Sequence, residues 1–153
     1  MAIKPRVLFL CTENACRTQM AEAFLRQLVG DELEIVSAGA QPGRLDPDAV
    51  AVMREVDIDI SSARTKVVDP YLRQRFRYVI TLCDREKERS CPIFPGAIWR
   101  QRWPVETPAA LAAAGLDHCA AVRQARAAIR RHVVEFVERH HHSQSGKGEA
   151  TWN

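Results

Sequence analysis

The stretch Val7-Leu8-Phe9-Leu10-Cys11-Thr12-Glu13-Asn14-Ala15-Cys16-Arg17-Thr18 decides how this chain is read. Its four apolar residues read as a buried strand. Just beyond it, Met20, Ala21, Phe24, Leu25 and Leu28 recur on one face of a helix, with Glu22, Arg26 and Gln27 on the other. Gly30 ends that helix. Between strand and helix lies a short loop that opens with Cys11 and closes with Arg17. A loop at a helix N-terminus offers unpaired backbone N–H groups and the positive end of the helix dipole, so Glu13, Asn14, Ala15 and Cys16 are candidate oxyanion binders. Arg17 adds a planar pair of donors for two oxygens of a tetrahedral anion. The same field stabilises a thiolate at Cys11, placed for in-line attack on a bound anion. Thr18 is expected to cap the helix and to donate its hydroxyl to the Cys11 sulfur.

Working outward, strand-like and helix-like segments alternate, which implies parallel strands joined by crossover helices. Leu33 to Ser37 reads as a second strand, Tyr78 to Leu82 as a third, and Ala97 to Arg102 as a fourth, more exposed one. Pro47 to Val56 reads as a helix with Val50, Val52 and Met53 toward the core. Thr107-Pro108 starts another as cap and first-turn proline, and Gly115 ends it. Asp117 caps the last long helix, in which Val122, Ala125, Ile129, Val133 and Phe136 keep helical spacing. Its basic side, Arg123, Arg126, Arg130 and Arg131, reads as a solvated face. From His142 onward Ser, Gly and Lys replace the apolar pattern. One domain over residues 1–142 and a disordered tail over 143–153 are therefore expected.

With 153 residues and 46% hydrophobic content, the chain is long enough for one cored domain and too short for two. A net charge of +3, with the arginines scattered, does not call for nucleic acid. No apolar stretch approaches the ~20 residues of a membrane span, and no leader pattern precedes the first strand, so a cytoplasmic protein is expected. In that setting its five cysteines are reduced, reactive or buried thiols, not a disulfide framework. The run His140-His141-His142 is not read as a metal site, because consecutive helix positions point in different directions.

A second constellation follows the third strand: Cys83, then a charged run to Cys91-Pro92. Ligands gather at the carboxyl ends of parallel strands, where both Cys11 and Cys83 fall. Across a regular helix the α-carbons of Cys83 and Cys91 would be about 12 Å apart at ~1.5 Å per residue. A disulfide needs them within roughly 7 Å. A Cys83–Cys91 bond thus requires a looped or unwound segment, which makes the pair a candidate redox switch. The alternative is two unrelated thiols.

The loop, with Ser37-Ala38-Gly39, Ile58-Asp59-Ile60-Ser61, Thr81-Leu82-Cys83, Cys91-Pro92 and Trp103, resembles the thioredoxin-coupled arsenate reductases. The resemblance spans roughly residues 5 to 139. It implies an α/β fold of the low-molecular-weight protein tyrosine phosphatase type, a single three-layer domain with a four-stranded parallel sheet flanked by helices. It also implies a relay. Cys11 attacks arsenate, Cys83 attacks Cys11 and releases arsenite, Cys91 takes over Cys83, and thioredoxin reduces the resulting disulfide. A monomer without a bound cofactor is expected, with phosphate as a competing anion. Gln19 stands where the phosphatases usually have proline, and a pure phosphatase has no need of the later cysteines.

Some positions depart from that pattern. Thr107 replaces the Asp that serves as general acid, with Glu106 one residue earlier as the candidate substitute. One extra residue separates Cys83 from Cys91. Asn14, Glu22 and Ser37 match the potassium ligands of some relatives, but Lys66 stands where a carboxylate is expected, so no metal is expected. Asp57 replaces a helix-ending glycine, a local structural feature. Two other functions remain open: a phosphatase forming a cysteinyl-phosphate at Cys11, and a non-enzymatic oxyanion or redox sensor.

Overall fold

Strand β1 (Arg6–Cys11) is buried on both faces from Val7 onward, as an apolar run must be at the centre of a covered sheet. The computed structural model describes residues 3–83 and 94–140. In it β1 pairs in parallel with β2 (Glu34–Gly39) and β3 (Phe76–Thr81), and β3 pairs in parallel with β4 (Ala97–Arg102). The order β2-β1-β3-β4 places the topological switch between β1 and β3, where a crevice opens beyond their carboxyl ends. This is the four-stranded parallel α/β sheet expected.

Alternation along β1 divides the core. Val7 and Phe9 face α1 (Arg17–Val29), α2 (Pro47–Arg54) and α4 (His118–His140). Leu8 and Leu10 face the other way, against Val68, Phe76 and Phe94. Phe9 is fully buried and meets Trp103 at 5.7 Å between ring centroids. Burying such a side chain contributes about 1.5–3 kcal/mol.

The caps expected at Thr107 and Asp117 are present, and Asp46 supplies a third. Asp46 accepts from the Asp48 N–H with Pro47 in the first turn, Thr107 accepts from the Ala110 N–H at the start of α3 (Pro108–Ala113), and Asp117 accepts from the Ala120 N–H. Gly30 and Gly115 both take positive φ, as does Asp57 at 64°, where the chain reverses after α2.

Several elements differ from expectation. Thr18 does not cap α1: Cys16 holds the N-cap position and Thr18 lies in the first turn, where its hydroxyl is engaged in the loop. β2 extends past Ser37 to Gly39, because β1 runs on to Cys11, which pairs with it. β3 begins two residues early, at Phe76, which pairs with Ala97. In α2 it is Ala49, with Val52 and Met53, that is fully buried, and Val50 lies at the margin. The basic side of α4 is not simply solvated: Arg123 grips both oxygens of Glu55 at 2.9 and 2.8 Å, and Arg126 reaches Glu55 and the Val52 carbonyl. Cys91, His141, His142 and the expected tail lie outside the described residues. No described helix is long and apolar enough to cross a membrane.

Candidate active site

The loop from Cys11 to Arg17 is held by its outer surface. The carbonyl oxygens of Cys11, Thr12 and Ala15 accept from the N–H groups of Ala40, Gln41 and Asp46, each at 3.0 Å. That of Asn14 accepts from the Gln19 amide at 3.1 Å, and that of Cys16 from Met20 within α1. In a trans peptide the N–H points opposite the carbonyl, so these contacts turn the N–H groups of residues 12, 13 and 15 to 17 toward the loop interior and the helix start. The Asn14 N–H ends 2.9 Å from the Cys11 sulfur.

Asn14 organises this turn. It is fully buried with φ of 58°, a left-handed conformation that asparagine tolerates well. Its Oδ1 accepts from the Lys66 N–H at 2.9 Å and the Gln19 amide at 3.0 Å. Its Nδ2 therefore donates, to Thr18 Oγ1 at 2.8 Å and Ser37 Oγ at 3.0 Å, and Ser37 in turn donates to Glu22 at 2.6 Å. The Thr18 hydroxyl also lies 3.1 Å from the Cys11 sulfur, and it is the donor there whenever Cys11 is a thiolate, which has no proton to give. Asn14, Ser37 and Glu22, the residues matching potassium ligands, are thus joined in one hydrogen-bonded chain. The Lys66 ammonium meets the Arg64 carbonyl.

Gly39 makes the loop possible. A Cβ there would stand 2.6 Å from the Glu13 carbonyl carbon and 2.8 Å from the Asn14 nitrogen. Ser37-Ala38-Gly39 thus supplies both the hydroxyl for Asn14 and the bare backbone behind the loop.

Above the loop is a cavity of about 300 Å³. Cys11, Thr12, Glu13, Ala15, Cys16 and Arg17 form its floor; Asp46, His118 and residues 107–109 form its walls. Thr107 lines it and Glu106 does not. Asn14 lies behind the floor, so among the expected binders it contributes shape and its N–H. The Arg17 guanidinium is buried and donates from Nη1 to the Leu82 and Val105 carbonyls at 2.6 and 3.0 Å. Burial, followed by the Asp46 charge, pushes the Cys16 thiol far up, which favours its protonated form. Cys83 is fully buried just beyond β3. Leu10 pairs with Thr81, which sets Cys11 beside Leu82 and one residue from Cys83.

Asp46, Asp48 and His118 are wall residues and neighbours that the sequence reading missed. His118 Nδ1 lies 2.7 Å from Asp48 and Nε2 lies 3.5 Å from Asp46. Their ligand atoms fall within 4.8 Å of one another, but both imidazole nitrogens already face carboxylates, the arrangement of an ion-paired imidazolium. The Asp48 hydrogen bond, outweighing partial burial, raises the His118 pKa. The only signals for this group in the sequence are two helix starts, Asp46-Pro47 and Asp117-His118, which nothing local brings together.

Residues 6–100 match the family model for low molecular weight phosphotyrosine protein phosphatases. Over 132 residues the chain is 36% identical to an arsenate reductase of Bacillus subtilis, covering 86% of this chain and 94% of that one. The chain belongs to the arsenate reductase family, on the low molecular weight phosphatase fold. A solved arsenate reductase in the phosphate binding state superposes with a TM-score of 0.73 at 27% identity, covering 88% of this chain and 98% of that one. A thioredoxin-dependent arsenate reductase of Corynebacterium glutamicum superposes with a TM-score of 0.61 at 29% identity, over 85% of this chain and 60% of the other.

Proposed function

We propose that this chain reduces arsenate to arsenite by a thiol relay that starts at Cys11. The observation that carries the reading is the Cys11 sulfur, held at the floor of a cavity of about 300 Å³ by the Asn14 N–H and the Thr18 hydroxyl, with Cys83 buried just beyond the neighbouring strand. A hydrogen-bonded thiolate under inward N–H groups and Arg17 suits attack on a tetrahedral oxyanion.

In the first step Cys11 sulfur bonds to arsenic and an arsenate oxygen leaves. Cys83 then attacks Cys11 sulfur; the electron pair of the S–As bond stays on arsenic, which passes from As(V) to As(III) and departs as arsenite. The two electrons come from the two thiols, now a Cys11–Cys83 disulfide. Cys91 attacks Cys83 and frees the Cys11 thiolate, and a dithiol of the thioredoxin class reduces the Cys83–Cys91 bond. The named similarity to a thioredoxin-dependent enzyme supports that donor. A cytoplasmic, reducing location fits the mechanism.

The test is arsenate-dependent NADPH oxidation with thioredoxin and thioredoxin reductase, beside Cys11→Ser, Cys83→Ser and Cys91→Ser. Loss in all three variants is expected. Full turnover in Cys91→Ser reduces the relay to two cysteines. Aryl-phosphate hydrolysis that needs Cys11 but not Cys83, without arsenate turnover, makes the protein a phosphatase.

A further inference from the structure

Forming the Cys11–arsenic bond expels an oxygen, and that oxygen leaves far more readily as water than as hydroxide. The cavity must therefore offer a proton. Thr107 is a poor acid, and its hydroxyl oxygen already accepts the Ala110 N–H as the cap of α3. Glu106 is not among the residues lining the cavity. His118 is. Its Nδ1 is fixed by Asp48 at 2.7 Å, and its Nε2 is turned toward Asp46, itself a wall residue whose backbone N–H is bonded to the loop at Ala15.

Resting on the reductase reading, we propose that His118, oriented by Asp48 and Asp46, is the proton donor to the leaving oxygen of arsenate. As the sulfur–arsenic bond forms and the bond from arsenic to a hydroxyl of protonated arsenate breaks, the proton passes from Nε2 to that hydroxyl oxygen, water leaves, and the imidazole becomes neutral. Arsenic remains As(V) in this step, which involves no oxidation or reduction. The side chain is 44% exposed, so solvent returns the proton. Asp48 is a positioning residue: it holds the Nδ1 proton and favours the imidazolium. The groups facing His118 are Asp46 and Asp48 at the start of α2, Asp117 beside it, and Glu13, Arg17 and the cysteines 11 and 16 across the cavity. The carboxylates nearest to it keep it charged to higher pH than a free histidine, which suits a donor at neutral pH.

The experiment is a single-turnover pH profile of arsenate consumption by the reduced full chain, with p-nitrophenyl phosphate hydrolysis in parallel, plus an NMR titration of His118 with and without inorganic phosphate. Wild type should lose rate on the alkaline side as His118 deprotonates. His118→Gln should run about 10²-fold slower at neutral pH and lack that limb, while Asp48→Asn should move the limb to lower pH. Phosphate in the cavity should raise the His118 midpoint. A limb that persists in His118→Gln overturns the proposal, and so does a midpoint unmoved by saturating phosphate, whatever the turnover. No arsenate consumption by wild type, with hydrolysis retained, overturns the reductase reading alone, and the limb is then judged on hydrolysis.

Discussion

The guanidinium of Arg17 donates to the carbonyl oxygen of Leu82 at 2.6 Å, which latches the oxyanion loop to the peptide immediately before Cys83. A second bond, to Val105, ties the same group to the segment leading into α3. Arg17 thus joins the floor of the cavity, the second cysteine and one wall. A charge alone cannot replace it, because the planar fork reaches several acceptors at fixed angles.

Arg17→Lys should therefore lose more than an anion contact. Charge-assisted hydrogen bonds contribute about 1.5–3 kcal/mol each, so phosphate affinity should fall roughly ten- to hundredfold. Calorimetric titration with phosphate checks the first effect, and the rate of Cys11–Cys83 disulfide formation checks the second. Unchanged disulfide formation alongside weakened phosphate binding would restrict Arg17 to the anion.

Thr18→Val removes the hydroxyl that accepts from Asn14 and meets the Cys11 sulfur while keeping the volume nearly constant. The thiolate loses one donor, so alkylation of Cys11 by iodoacetamide at neutral pH should slow by about tenfold, for a lost bond to a charged group of about 1.5 kcal/mol. Cys16 should remain unmodified in both proteins, because burial favours its protonated form. Peptide mapping of the alkylated protein distinguishes the two sites; equal labelling of Cys16 would contradict the burial argument.

Gly39→Ala places a methyl group against the loop backbone at 2.6–2.9 Å, where no flexible side chain can yield. Overpacking of this kind costs about 1–3 kcal/mol. The displaced Glu13–Asn14 peptide should also disturb the N–H that meets Cys11. Urea unfolding should give a lower midpoint, and the rise in melting temperature on adding phosphate should shrink. A destabilised variant with a full phosphate response would place the strain outside the anion site.

The latch and the loop differ in how far the sequence discloses them. Val7 to Thr18 is legible because strand, loop and helix are contiguous and each carries its own periodic or capping signal. The caps Thr107 and Asp117 are legible for the same local reason. What is illegible depends on distant segments meeting. Thr18 is legible as a partner of the Cys11 sulfur, but its expected role as a cap fails, and its bond from Asn14, which depends on how the loop packs, is not legible. Gln19 stands out only by comparison with the phosphatases, yet its amide braces the Asn14 and Arg64 carbonyls. His118 gains its place only when α4 packs so that its first turn meets Asp48, seventy positions away. The solvated reading of Arg123 and Arg126 fails likewise, since Glu55 reaches them only in the folded chain.

That last contact sets a pH dependence. Hydrogen bonds from Arg123, then Arg126, hold the Glu55 carboxyl down at about 2, below its ordinary value. A depressed folded pKa means the contribution is fully present above the unfolded value of about 4.3 and is lost as pH falls toward 2. Glu55→Gln should therefore melt below wild type at pH 7. The gap should narrow between about pH 4.5 and 2 as wild type loses the same charge. Both side chains are solvent-exposed, so the gap at pH 7 should also shrink in molar salt. Thermal melts of both proteins across that range, at low and high salt, are the check. A gap independent of pH would mean that Glu55 ties α2 to α4 through neutral packing, and that the arginines of α4 draw nothing from its charge.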